Sequence, residues 1–328
     1  GRRVPWAEFD ALGFALLSGL LGLVGLLLLG PPGRLGGPVF VAALIGGILC
    51  LLIIFAWHER RSAHPLVDLA TLRLPAIWAA NASVFFALLI MAGGMFLTVL
   101  YAQLLGSYSS LWVGLLLAPC AATSFLLSPI GGRLCDRVGA RPLAVAGLGL
   151  LFASVLLPAI WRQASPAALV VLANMAAGAG VGLATPALVR TATEAVEPTR
   201  VGMASGLYKT MNELGGVFGV VLLGSLLEAR IVANALRAIP GHMLPADLNL
   251  KALSSLKDLE VHALQRGLLP ADVSGFHRAI QDAVARGFNQ VFWVATGVAL
   301  VGLLVACLVP RRPAAVDQPA GRRARNTG

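Results

Sequence analysis

Long apolar runs separated by short polar connections make up most of the chain. At 1.5 Å of rise per residue, a helix needs about 20 mostly apolar residues to cross a hydrocarbon core of about 30 Å. Eight stretches meet that requirement: Ala11–Leu29, Val39–Trp57, Ile77–Leu104, Leu111–Ile130, Pro142–Trp161, Ala167–Val189, Ala204–Leu227 and Val291–Val309. The third is long enough to require tilt or an extension beyond the bilayer. The pattern predicts an all-α chain: a polytopic membrane helix bundle of about eight transmembrane helices.

The connections differ in charge. Arg2 and Arg3 precede the first run; Arg60, Arg61 and Arg73 follow the second; Arg133, Arg137 and Arg141 follow the fourth; Arg190 and Arg200 follow the sixth. The tail adds Arg311, Arg312, Arg322, Arg323 and Arg325, while the alternate short gaps hold only Arg34 and Arg162. Short loops rich in arginine stay on the cytoplasmic side. Both termini are therefore expected in the cytoplasm, with the chain in the plasma (inner) membrane. One outer connection, residues 228–290, is long, and long translocated segments carry little weight in that rule. Phe276, Ile280, Val284 and Phe288 recur every four residues there, so its ends are expected to prolong the flanking helices. Its histidines, His242, His262 and His277, are far apart, which favours solvated helix faces over a metal site. The tail, residues 310–328, is rich in Pro, Ala and Arg and is expected to be disordered and drawn to anionic lipid.

Composition supports the membrane reading. Hydrophobic residues make up 58% and charged residues 12% of the 328 residues, against about 45–50% and 25% in soluble domains; the mean hydropathy is +0.82. A soluble globule could not cover that much apolar surface, so soluble-enzyme classes are excluded. The net charge of +10 sits in the gaps between apolar runs, which makes it an orientation signal and not a nucleic-acid footprint. Cys50, Cys120, Cys135 and Cys307 show neither CxxC spacing nor a pairing pattern, so unpaired thiols and no metal are expected. The chain opens with Gly1 and without a signal-peptide layout, and is expected to begin within a longer protein.

The stretch Gly131–Pro142 fills a gap of about a dozen residues between two runs. Gly132 and Gly139 permit a tight turn and close helix approach. Asp136 suits an arginine or a helix N-terminus; Arg137 and Arg141 suit carboxylates or helix C-termini. Such a cluster could latch two helices on one face of the membrane, and it could equally be an arginine-rich turn. The stretch resembles the signature loop of the major facilitator superfamily, matched in place by Gly132, Leu134, Asp136, Arg137, Gly139, Arg141 and Leu143. Ala140 departs from the pattern at a basic position, which weakens the latch on that side.

Pro198–Leu207 with Asn212–Gly216, Tyr101–Gln103 with Gly106, Tyr108 and Ser109, and Glu59–Arg61 with His64–Leu69 are similar to patterns of that superfamily's fourteen-helix drug:proton antiporter branch (EmrB/QacA-like). The resemblance implies residues 1–75 as two linker helices and a cytoplasmic connection, and residues 76–309 as a six-helix C-terminal bundle. It also implies that an N-terminal six-helix half is missing. The expected partners are the lipid bilayer, a small amphipathic organic substrate, protons and that missing half, with no cofactor and no nucleic acid.

Along the penultimate run, Ser205, Lys209, Asn212, Glu213, Gly216 and Gly219 fall on one stripe, with Leu207, Met211, Leu214, Phe218 and Val221 opposite. A charged group inside a span usually faces a partner or a wet cavity. Glu213 is thus the candidate proton-coupling residue with Lys209 beside it, drawn in opposite directions by burial and by the neighbouring ammonium. The plain alternative is a static pair with Lys209 snorkelling to the interface. Asn81, Gln103, Asn174 and Asn212 are candidates for the substrate path; hydrogen bonding between helices is the competing role for such groups. The expected function is proton-coupled antiport of drugs or other amphipathic compounds out of the cell. Export of one specific metabolite and a non-transporting half-bundle are the alternatives. No H-E-x-x-H, intramembrane Asp pair or G-x-S-x-G is present, so no enzyme is expected.

Overall fold

Every apolar run folds as an α-helix in the computed structural model, which describes residues 11–29, 38–61, 74–105, 108–160, 167–238 and 273–310. In chain order the helices are α1 (Ala11–Leu29), α2 (Pro38–Arg61), α3 (Pro75–Leu104), α4 (Ser110–Val138), α5 (Ala140–Ala159), α6 (Ala167–Glu194), α7 (Val201–Ala238) and α8 (Val273–Ala306). No strand occurs among the described residues. Helices α3 to α8 are long and apolar enough to cross a membrane. Helices α1 and α2, of 19 and 24 residues, are about 28 and 36 Å long by rise per residue. The expected disordered tail beyond Pro310, the linker positions His64–Leu69, His242, His262, and Arg2, Arg3, Arg34, Arg73 and Arg162 lie outside the described residues.

Helix ends depart from the apolar runs where charged residues continue a helix out of the apolar layer. Helix α4 runs through Arg133, Asp136 and Arg137 to Val138, and α5 starts at Ala140. The expected connection of about a dozen residues is therefore a single residue, Gly139, at φ 88° and ψ 169°. Arginine and leucine favour helix, so nothing in Arg133–Val138 stops it until a residue free to take positive φ allows the turn. Helix α6 likewise continues to Glu194. At 38 residues, α7 is about 57 Å long, nearly twice the hydrocarbon thickness. Its far end, with Glu228, Arg230 and Arg237, therefore stands clear of the apolar layer alongside the start of α8.

Helix α3 packs chiefly on α7, and α6 sits between α4 and α5; α8 closes against α5, α7 and α3, while α1 and α2 pair with each other and α1 touches α7. Without a water-driven force between spans, close packing supplies the attachment. On α7, Gly215 and Gly219 lie directly on the carbonyls of Phe85 and Leu89, where a side chain would clash with the α3 backbone. A methyl on Gly93 would stand 2.7 Å from the Gly219 oxygen. Gly147 of α5 and Gly180 of α6 approach each other's carbonyls in the same way, at 2.6 Å or less for an added methyl. Pro186 lacks the N–H that would bond the Gly182 carbonyl, and that oxygen faces Gly131 of α4.

These contacts revise the expected stripe on α7. Gly219 lies on the buried face of α7 with Ala204, Tyr208, Gly215 and Leu223, and Gly215 and Gly219 meet the α3 backbone there. The face left open near the start of α7 carries Gly202, Ser205, Gly206, Lys209, Glu213 and Val217. Small residues form the packing side because the two backbones touch there. Helices α4 and α7 are the least covered spans, with 17% and 22% of their most apolar stretches buried against 39–50% for the other four.

Candidate functional site

Polar side chains gather in three places, and the first is the arginine-rich end of the bundle. The run-on of α4 places Asp136 opposite the last turns of α6, where its Oδ1 pairs with Arg190 Nη1. Arg190 also donates through Nε to Glu194 Oε1 at 2.6 Å, one turn along α6. One guanidinium thus holds two carboxylates on two helices, using the fork geometry that suits arginine to the task. Below it Cys135, Leu143 and Ala187 are buried together, joining α4, α5 and α6. All three charged groups remain partly open to solvent, where such pairs contribute about 1 kcal/mol or less. They set a position more than they add stability.

Among the signature residues, Asp136 takes part in this bracket and Gly139 makes the turn. Arg137 and Arg141 meet no carboxylate among the described residues. Leu134 is exposed. Gly132 faces open space, and the close approach to α6 is made by its neighbour Gly131. From sequence alone Arg190 reads only as a loop charge. The Arg–x–x–x–Glu spacing to Glu194 was the available signal, and it becomes readable only once α6 is known to reach that far.

The second place is the open face of α7. Lys209 Nζ and Glu213 Oε1 are 2.5 Å apart, with side chains 70% and 66% exposed. Glu213 lies twelve residues beyond Val201, about 18 Å along the helix. Within the described residues nothing covers this pair, so the chain itself does not supply the burial that the sequence led us to expect. Asn212 beside it is half-buried.

The third is the bundle interior. Asn174 is buried and donates through Nδ2 to the Val170 carbonyl at 2.9 Å. It borders a small cavity also lined by Thr98, Cys120 and Ser154. Asn81, two turns into α3, is also buried and donates to the Ile77 carbonyl at 2.9 Å; its Oδ1 has no partner among the described residues. Gln103 is exposed at the far end of α3. The four amides proposed for one path are thus spread over three helices and several depths. Among the described residues, no group of three or more His, Cys, Asp or Glu could hold a metal.

Comparison with known proteins places this geometry. The model of the Major Facilitator Superfamily matches residues 82–231. The chain is 33% identical over 181 residues to the multidrug resistance protein Stp of Mycobacterium tuberculosis, covering 55% of this chain and 34% of that one. It is 31% identical over 270 residues to the drug efflux pump JefA of the same organism, covering 81% and 52%. The tetracenomycin C resistance and export protein of Streptomyces glaucescens is 26% identical, covering 93% and 57%. The chain thus spans between a third and somewhat over half the length of these relatives. Among solved structures, a bacterial homolog of the human lysosomal transporter Spinster, inward-facing and unoccupied, superposes with a TM-score of 0.52 at 17% identity, over 92% of this chain and 65% of that one. That likeness concerns the fold.

Proposed function

We propose that the chain, whose residues 82–231 match the Major Facilitator Superfamily, works in a secondary exporter of amphipathic organic compounds, driven by inward proton flow. It is a multi-pass membrane protein and its relatives are transporters, not enzymes. The observation that carries the reading is the likeness, over 81% of the chain, to a protein named as a drug efflux pump. The fourteen-helix branch assigned from the sequence accords with these relatives. In this reading residues 1–75 hold the two linker helices, residues 76–309 form the C-terminal bundle, and six further helices lie outside this sequence. The arginine-rich end faces the cytoplasm of the plasma membrane, with both termini on that side.

Transporters of this kind work by rocking two repeats about a midplane site. The Asp136–Arg190–Glu194 bracket ties α4 to α6 at the inner face, where it would hold one of the rocking states. The open face of α7 would meet the companion half, and only there would Lys209 and Glu213 leave water and lipid. Glu213 is the group assigned to exchange a proton when that contact opens. Asn81, Gln103, Asn174 and Asn212 remain candidates for the substrate path. A second reading, export of one specific metabolite, is favoured by the likeness over 93% of the chain to a protein named for tetracenomycin C export.

The test is uptake of a lipophilic cation such as ethidium, and separately of a polyketide, into inverted vesicles carrying the chain with its companion half. Accumulation that collapses on adding a protonophore supports proton-coupled export. Accumulation insensitive to the protonophore overturns the coupling, and no accumulation of either class overturns the export reading.

A further inference from the structure

A small cavity lies where α3, α4, α5, α6 and α8 meet, and three of its lining side chains are polar: Thr98, Ser154 and Asn174. Each turns a donor back on its own helix. The Thr98 hydroxyl donates to the Gly94 carbonyl at 2.9 Å, the Ser154 hydroxyl to the Leu151 carbonyl at 2.7 Å, and Asn174 Nδ2 to the Val170 carbonyl at 2.9 Å. Two hydroxyl oxygens, the Asn174 Oδ1 and the second Asn174 N–H are what these side chains still have to offer. The rest of the wall is apolar, with Ile90, Val155 and Phe292 among it.

The space open to the centre of a water-sized sphere is about 20 Å³, above the roughly 10–15 Å³ that one water requires. Cavities that stay dry are lined by apolar atoms alone, whereas a water needs two to four polar partners. Three side chains on three helices meet that condition here. The guest must be mainly a donor, since the two hydroxyls have already used their protons, and it must also accept from the remaining amide N–H. No carboxylate lines the site to balance a cation. We propose that one water molecule occupies this cavity and bridges α3, α5 and α6 through Thr98, Ser154 and Asn174.

The placement gives the water a structural meaning independent of what the protein transports. Helix α6 is fixed to α4 and α5 by direct backbone approach at Gly178 and Gly180. Toward α3, the three polar side chains make no bond to one another across the seam. A water there links α3 to the α4–α5–α6 unit through an exchangeable partner, so the seam can loosen without breaking a protein–protein hydrogen bond.

Two reporters line the cavity: Cys120, which is buried, and Met95. Radiolytic hydroxyl-radical labelling of the purified chain in nanodiscs, read by mass spectrometry, oxidises buried sulfur only where water lies against it. The expected result is Cys120 oxidised at a rate within a few-fold of half-buried Met203 at the arginine-rich start of α7, and a fall of tenfold or more in Asn174→Leu, which fills the space. The Thr98→Val plus Ser154→Ala double variant, gentler on folding, should lower Cys120 labelling severalfold while leaving Met203 unchanged. Cys120 unlabelled in the unmodified chain, or labelled equally in every variant, would overturn the proposal.

Discussion

Arg190 holds Asp136 on one side and Glu194 on the other, so each carboxylate can be removed while the second still anchors the guanidinium. Asp136→Asn is expected to leave the melting temperature of the detergent-solubilised protein within about 2 °C, because an exposed pair of this kind contributes about 1 kcal/mol or less. Transport in inverted vesicles should nevertheless fall severalfold, since α4 is no longer tied to α6. The reversed pair, Asp136→Arg with Arg190→Asp, should recover part of that loss. An Asp136→Asn protein that transports normally would remove the bracket from the mechanism. At Glu213 the expectation is different in kind. Glu213→Gln keeps size and hydrogen-bonding capacity but cannot cycle a proton, so substrate binding should persist while protonophore-sensitive accumulation disappears. Binding and accumulation measured on the same vesicles separate the two. Gly139→Ala forces a side chain into positive φ, a strain of about 1–3 kcal/mol, readable as a lower melting temperature with the helical content unchanged.

Helix existence was legible from the sequence because membrane spans announce themselves by length and apolarity. Helix α1 matches its apolar run residue for residue, and α3 differs from its run only at the start. The ends of α4 and α6 were less legible, because hydropathy marks where a helix leaves lipid and not where it stops. The run-on of α7 to Ala238 and the start of α8 at Val273 were legible in the four-residue recurrence of Phe276, Ile280, Val284 and Phe288. The packing face of α7 was misread for a related reason: glycines at Gly215 and Gly219 carry no hydrophobic signal, yet they seat the helix on α3. Gly219→Leu should therefore abolish the α3–α7 contact and leave no stable monomeric fold in detergent, as judged by size-exclusion chromatography. The protruding ends of α7 and α8 bury Ile231 and Ala235 with Phe276, Ile280 and Phe288. Ile231→Ala removes volume there while Gly287 leaves no side chain to move in, and should cost about 2–5 kcal/mol in reversible unfolding. Asp136 and Gly139 were recognised in advance because the motif fixes their spacing. Arg190 needed the fold to bring α4 beside α6.

For the whole molecule, the exposed leucines and aromatics of α4, the least covered span, among them Leu111, Trp112, Phe125 and Leu126, suit hydrocarbon rather than water. Orientation is a matter of charge, and single cysteines test it in a background lacking the native thiols. Tyr108→Cys should react with a membrane-impermeant maleimide on intact cells, and Arg137→Cys only after permeabilisation. The reverse pattern would turn the bundle over. The one-residue turn at Gly139 also restricts how the folded pair can move. A single residue reaches about 3.5 Å, so once both helices have formed, the inner end of α4 and the start of α5 cannot draw apart. Any shear between the two must pivot about that joint, with the largest excursion at the opposite ends.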